Sequence, residues 1–311
     1  MLIFARCEMN LRADSKVLIQ GITQPAGATG AVLMKTYGTH VVAGVSPGFG
    51  GETPGEIPVF DMVEQALEAV GKVDASAIFV PPYSVLDAAL EAISSGIRLL
   101  AIVTEGVPPL DMVSLVKKAG ETGTSVIGPS STGIIVPGKI LLGIHPPEFY
   151  TPGKVGLIGR SGSLICEIAR ELTQAGLGQS LCVCVGGDAI VGSSFVEWLQ
   201  ILNKDESTEA IVLIGEIGGT SEEAAARYIA ETIDKPAIAY VAGQYAPKGK
   251  RLGHAGAVIT AQLADLGADV GTAESKIAAF KDAKVPVASR PSQIPDLVKK
   301  VLKKSGHKGR K

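Results

Sequence analysis

Aromatic side chains are scarce in this chain, with one Trp, six Tyr and seven Phe among 311 residues, while glycine is abundant at 38. That balance disfavours an all-β sandwich and fits an α/β fold with tight strand–helix turns. Charge of one sign is lacking too: 29 Lys and Arg against 31 Asp and Glu leave a net charge of −2. Without a broad basic field, nucleic acid is not an expected partner. The basic tail at residues 299–311 reads as a solvated end. No apolar run is long enough to span a bilayer, so no membrane partner is expected. Residues 1–12 are apolar only briefly and are broken by Arg6 and Glu8, which argues against a signal peptide and makes a poor transit peptide. Cysteine is sparse, at positions 7, 166, 182 and 184. That spacing offers no metal-ligand set, so no metal site is expected, and free thiols suit a reducing cytoplasm. Cys182-Val-Cys184 alternates inside an apolar run, which puts both thiols on one face of a buried strand.

What is present is a regular alternation. Apolar strands are expected near residues 16–22, 40–45, 76–80, 97–103 and 125–127. Helices are expected from the glycine turn to Tyr37 and at 61–70, 84–95 and 110–119, with Asp61 and Ser84 as N-caps. Strands alternating with helices of this length imply a parallel sheet with right-handed crossovers. Residues 131–153 are rich in Pro, Gly and Ser without sustained periodicity, and read as a linker. A second alternation follows, with strands at 155–159, 181–186, 210–215, 237–242 and 285–288. Its helices are expected at 162–175, 193–203, 221–232, 273–283 and 292–303. The expected organisation is therefore two α/β domains, 1–130 and 154–311.

Three places carry chemistry. His254 lies in Lys248-Gly-Lys-Arg-Leu-Gly-His-Ala-Gly-Ala257. Neutral imidazole is a good nucleophile near pH 7, small neighbours admit a bulky phosphoryl group, and cations offset its charge. The plainer alternative is a solvated basic loop with an incidental histidine. Glu216, in Gly215-Glu-Ile-Gly-Gly219, falls at the end of a buried strand, where α/β sheets place ligands. A carboxylate there can orient an imidazole and stabilise its charged form, or can be an ordinary surface acid beside a turn. Gly159-Arg-Ser-Gly-Ser163 follows a strand and opens a helix. Arg160 with the Ser161 and Ser163 hydroxyls can bind phosphate or carboxylate, or Ser161 can simply cap the helix. The turn at residues 21–27 also precedes a helix, which suits an anion. Gln24-Pro25 occupies its middle and the strand ending Val45-Ser46-Pro47 lacks an acid before Glu52, which disfavours a nicotinamide dehydrogenase. A ligand gripped by its phosphates, coenzyme A among them, stays open.

The order of these motifs resembles the alpha subunit of the NDP-forming acyl-CoA synthetases, typified by succinyl-CoA synthetase. The branch containing citryl-CoA synthetase small subunits and ATP-citrate lyase shares the layout. The residues carrying the resemblance are Tyr37-Gly-Thr39, Gly44-Val-Ser-Pro-Gly48, Thr104-Glu-Gly106 with Pro108, Pro152-Gly-Lys-Val155, Arg160-Ser-Gly162, Gly186-Gly-Asp188, the 215–219 turn, Ala246-Pro-Lys-Gly-Lys250 and Gly253-His-Ala-Gly256. The resemblance implies a Rossmann-like CoA-binding domain followed by a flavodoxin-like one. It implies coenzyme A at Gly21, Thr23, Gln24, Pro25, Ala26, Gly27, Pro47, Phe49, Val103, Thr104 and Glu105. It further implies His254 as a phosphohistidine oriented by Glu216. Phosphate or acyl groups would meet Arg160, Ser161, Gly162, Ser163, Ser131, Thr132, Gly218 and Gly219. A partner β subunit of ATP-grasp fold would bind ATP or GTP with Mg²⁺, in a heterodimer or heterotetramer.

Departures from the succinyl-CoA synthetase pattern bear on specificity. Gln24 replaces a glycine, Phe49 a lysine, and Cys166 a tyrosine. Ser130-Ser-Thr132 stands for Asn-Cys-Pro, Gly159 for a serine, and residues 261–270 form an insertion. Smaller, hydroxylated residues suit a more polar acid. Succinate and citrate are therefore close rivals, with malate and a CoA-binding protein without turnover as further alternatives. A nicotinamide oxidoreductase is the remaining class.

Overall fold

The computed structural model describes residues 11–246, 254 and 271–308. Expectations placed on residues 1–10, on Lys248, Lys250, Arg251, Gly253 and Gly256, and on the insertion at 261–270 lie outside the described residues. The chain divides into two units, Met1–His145 with Ile190–Ser193, and Pro146–Ala189 with Ser194–Lys311.

The first unit holds β1 (Lys16–Gln20), α1 (Pro25–Tyr37), β2 (His40–Val45), β3 (Val59–Phe60), α2 (Val63–Val70), β4 (Ala75–Ile78), α3 (Val85–Ser94), β5 (Leu99–Ile102), α4 (Pro109–Thr122) and β6 (Ser125–Ile127). Its six strands run in the order β3-β2-β1-β4-β5-β6, and every pairing is parallel. This is the doubly wound dinucleotide-binding order, with its topological switch between β1 and β4. Leu18, Ala43, Ile78, Leu100 and Ile102 from the strands pack with Val63, Ala66, Val85, Ala89, Met112 and Leu115 from the helices. Helix ends follow local chemistry. Pro25 and Pro109 open α1 and α4, and glycines with left-handed φ, Gly38 and Gly123, close them, because neither role needs what these residues lack.

Three expectations are corrected here. Asp61 does not cap α2. Its Oδ1 accepts from the amides of Gly48 (2.7 Å) and Gly50 (3.0 Å), while Val63 N–H, at the start of α2, donates to Glu91 Oε1 at 2.8 Å. Ser84 makes no side-chain cap at α3, because it closes a 3₁₀ turn with φ −103° and ψ −4° and lacks the extended backbone of a capping residue. Residues 131–153 are not a structureless linker. They contain β7 (Gly133–Val136) and β8 (Ile140–Gly143), an antiparallel hairpin. Thr39 Oγ1 donates to Leu141 O at 2.7 Å and accepts from Leu141 N at 3.0 Å. Tyr37 Oη accepts from Gly138 N at 2.7 Å. Strands of four residues are too short for periodicity to register.

The second unit holds β9 (Pro152–Gly159), α5 (Gly162–Gln174), β10 (Gln179–Cys184), α6 (Phe195–Lys204), β11 (Ala210–Gly215), α7 (Ser221–Thr232), β12 (Ala237–Val241), α8 (Ala273–Asp282), β13 (Val287–Ala288) and α9 (Ile294–Lys308). These five strands run β13-β12-β11-β9-β10, all parallel, which is the flavodoxin-like order. Strands β10 and β11 are buried along their full length, as expected for strands covered on both faces. Cys182 and Cys184 are buried thiols of β10, and Cys184 Sγ donates to Arg160 O at 3.4 Å. Ser194 and Glu197 form a reciprocal capping box at α6: Ser194 N–H donates to Glu197 Oε2 at 2.7 Å and Glu197 N–H to Ser194 Oγ at 3.3 Å.

Candidate active site

In the second unit the central strands end level with one another. Gly159 pairs with Cys184 and Ile214, and Gly215 with Val241. The residues after each strand therefore gather at the carboxyl edge of the sheet, where parallel sheets place their ligands. Arg160 follows β9, Gly186-Gly-Asp188 follows β10, and Glu216 follows β11.

His254 is held at this edge. Its Nδ1 lies 2.8 Å from Glu216 Oε1 and 2.9 Å from Oε2. An ionised carboxylate only accepts, so Nδ1 carries the proton and Nε2 keeps the lone pair. Glu216 is 14% exposed at its side chain and His254 38%, so the pair is partly shielded and the ring still reachable. The hydrogen bond to Glu216 raises the His254 pKa above its ordinary 6.5. Burial opposes that rise, Arg160 also lowers it, and the charges of Glu216 and Asp188 add to it. Gly187 makes room for the ring, since a Cβ there would stand 2.6 Å from His254 Cγ.

Behind Glu216 lies a buried ionic array. Arg160, with its side chain 7% exposed, places Nε 3.9 Å from Glu216 Oε1 and Nη1 3.8 Å from Glu222 Oε1. Its Nη1 donates to Gly218 O at 2.6 Å. Glu222 Oε1 accepts the backbone amide of Glu216 at 3.2 Å. The other oxygen of Glu222 pairs with the Lys276 ammonium, both side chains being fully buried. Lys276 also donates to Gly219 O at 2.9 Å. Sequence reasoning found Arg160, Glu216, Gly218 and Gly219. It did not single out Glu222 and Lys276, because no local pattern marks a buried charge.

At the start of α5, Ser161 stands at the N-cap with extended backbone but makes no side-chain cap bond. Its hydroxyl lies 3.1 Å from that of Ser163. The first turn, at Gly162 and Ser163, is thus without a side-chain cap, the condition under which a helix N-terminus can take an anion.

The first unit has a separate cavity of about 470 Å³ at its switch point. Gly21, Thr23, Gln24, Pro47 and Phe49 line it. So do residues the sequence did not single out, among them Ser46, Ser84, Asp87 and Glu91. Thr23 Oγ1 lies 2.7 Å from Ser46 Oγ. Pro25 and Ala26 form the exposed first turn of α1, and Gly27 is buried there. No side chain caps α1. Gly27 must lack a Cβ, which would lie 2.1 Å from Gly21 O. Val103, Thr104 and Glu105 follow β5 and are not among the lining residues. Thr104 Oγ1 donates to Val80 O at 2.7 Å. Ser131 Oγ accepts from Gly133 N at 2.8 Å, and Thr132 Oγ1 lies 3.2 Å from His145 Nε2. Among the described residues no His, Cys, Asp and Glu cluster could hold a metal ion, and no helix is long and apolar enough to cross a membrane.

A family model described as CoA binding domain matches residues 12–106, and one described as CoA-ligase matches residues 158–289. The chain is 46% identical over 288 residues to succinate–CoA ligase (ADP-forming) subunit alpha 2 of Archaeoglobus fulgidus, covering 93% of this chain and 97% of that protein. It is 45% identical over 259 residues to malate–CoA ligase subunit alpha of Methylorubrum extorquens, covering 81% and 87%. The fold matches ATP citrate lyase from Methanothrix soehngenii, solved in complex with citrate and coenzyme A, at a TM-score of 0.85 and 23% identity over 96% of this chain. This chain spans about half, 51%, of that longer one. The chain belongs to the family of succinate–CoA ligase alpha subunits.

Proposed function

We propose that this chain is the alpha subunit of an ADP-forming acid–thiol ligase that joins a small dicarboxylic acid, succinate foremost, to coenzyme A. The observation that carries the reading is His254 Nδ1 fixed by both oxygens of Glu216, with Nε2 left as the nucleophile. His254 Nε2 takes the γ-phosphoryl group of ATP and releases ADP. It then passes the phosphoryl group to the acid's carboxylate, and attack of the CoA thiol on that acyl phosphate yields thioester and inorganic phosphate. The histidine divides one difficult transfer into easier ones. Glu216 steadies the cationic ring while it is phosphorylated, and Arg160 places a positive charge 3.9 Å from Glu216.

The switch-point cavity is the place for coenzyme A. Its size, the missing side-chain cap on α1 and the close approach allowed by Gly27 fit a phosphate-bearing ligand. ATP and Mg²⁺ are assigned to a partner β subunit of ATP-grasp fold, as kinship with succinate–CoA ligase alpha subunits implies. Malate is the second reading, motivated by the 45% identity to a malate–CoA ligase alpha subunit. The likeness to ATP citrate lyase, at 23% identity, bears on fold and does not favour citrate.

The test uses the chain co-purified with its β subunit and γ-labelled ATP. Acid-labile label is expected on the wild-type chain and none on His254→Ala. Label retained by that variant would overturn the assignment. ADP release with CoA and succinate, malate or citrate then ranks the acids by kcat/KM.

A further inference from the structure

The buried Glu222–Lys276 pair has no place in the steps above, although it costs the fold the desolvation of two charges. Neither residue touches His254. Glu222 nevertheless binds both components of the histidine's support. One of its oxygens accepts the Glu216 amide at 3.2 Å and faces the Arg160 guanidinium at 3.8 Å. Gly215 lies against Glu222, a Cβ there standing 2.8 Å from Glu222 Cγ, so the end of β11 is closed directly onto this carboxylate. The other oxygen accepts from Ser221 Oγ at 2.9 Å and from Lys276. Lys276 in turn donates to Gly219 O and lies 3.3 Å from Glu223 Oε2. Residues 216–219 are thereby fastened at both ends, and Arg160 is shared between two carboxylates.

That sharing has a chemical consequence. Arg160 and His254 compete for Glu216, at 3.9 Å and 2.8 Å. Glu222 draws the guanidinium away from Glu216 and leaves that carboxylate to the imidazole. Lys276 opposes this by partly neutralising Glu222. We infer that Glu222 and Lys276 are positioning residues which set, through Arg160, how much of the Glu216 carboxylate is available to His254. They are not catalytic residues. The inference rests on the proposed role of His254 for its functional meaning but not for its geometry.

Among the described residues, the charged groups facing the imidazole or its support are Glu216, Arg160, Asp188, Glu222, Lys276 and Glu223. The test is an NMR titration of the His254 ring in the full chain, which needs neither partner nor substrate. In Glu222→Gln, Arg160 turns to Glu216, and the His254 midpoint is expected to fall by about half a pH unit. In Lys276→Met, Glu222 holds Arg160 more strongly, and the midpoint is expected to rise by about as much. Lys276→Arg is expected to restore the wild-type midpoint. A merely structural role would loosen the His254–Glu216 contact in both variants and move both midpoints down. Two downward shifts, or none, would overturn the inference. Should either single variant fail to fold, the neutral pair Glu222→Gln/Lys276→Gln decides it, since it strands no buried charge. A lowered midpoint with the Nδ1–H resonance of the His254–Glu216 hydrogen bond retained supports the inference, and an unchanged midpoint, or a lowered one with that resonance lost, overturns it. Absence of phosphoryl label on His254 alongside the expected shifts would sink the proposed function alone.

Discussion

At the scale of the residue, the site turns on one proton. In the proposed mechanism neutral His254 is the nucleophile, and its pKa is raised above 6.5, chiefly by the Glu216 hydrogen bond. The rate of phosphorylation is therefore expected to climb with pH through a midpoint above 6.5, measurable as label incorporated per second across pH 5–9. For stability the sign is opposite. A histidine whose folded pKa is raised adds stability that is full below 6.5 and is lost as pH rises through the folded value. Replacing Glu216 by Gln should lower the rate midpoint and cut the maximal rate by about 100-fold or more. An unchanged midpoint would show that the carboxylate does not govern the ring. Gly187→Ala is the steric counterpart. The added Cβ would meet the imidazole at 2.6 Å, and a ring displaced by a fraction of an ångström should slow phosphorylation by about 10- to 100-fold while the melting temperature barely moves. A wild-type rate in that variant would mean the ring has room to shift.

Elements matter through their ends and short joins. Thr39, buried at the start of β2, makes two hydrogen bonds to Leu141. Thr39→Val keeps the shape but leaves a buried carbonyl and amide without that hydroxyl, and should cost about 1–3 kcal/mol in urea unfolding. A loss within error would mean that β8 re-pairs elsewhere. The hairpin was not legible, although Ile134-Ile-Val136 and Ile140-Leu-Leu142 flank a Pro137-Gly138-Lys139 turn. Its composition still reads as loop, because four-residue strands give only two residues per face. The helices of both units were legible, as their apolar stripes span several turns. The caps at Asp61 and Ser84 were not. An aspartate chooses among whichever amides folding brings near, and here these are Gly48 and Gly50.

For the whole molecule, pH acts through a group far from the chemistry in kind. His145 is fully buried, and desolvation holds its pKa down to about 4 against the hydrogen bond with the Gly133 carbonyl. A histidine with a depressed folded pKa contributes stability above 6.5, and that stability is lost as pH falls from 6.5 towards 4. The linkage amounts to about 3 kcal/mol. Urea unfolding between pH 7 and pH 4 should show that loss, and His145→Gln should flatten it. An equally steep dependence in the variant would place the acid sensitivity elsewhere. Ligand binding belongs to this scale as well. Coenzyme A should raise the melting temperature of the isolated chain, and Gly27→Ala, which pushes a Cβ against Gly21 O, should abolish that rise.

The sequence by itself determined the class of fold, because strand and helix periods and glycine turns are local signals set by backbone geometry. It also offered His254 and Glu216 as a candidate pair, because a histidine between glycines and an acid at the end of a buried strand suit phosphate chemistry, with an incidental histidine and a surface acid as the plainer alternatives. Tertiary structure alone decided which charges are buried together. Arg160, Glu216, Glu222 and Lys276 lie up to 116 positions apart in sequence, and Glu222 and Lys276 look like ordinary helix-surface residues until α7 and α8 pack against one another. Desolvation is a property of the packed fold, so no window of sequence carries it.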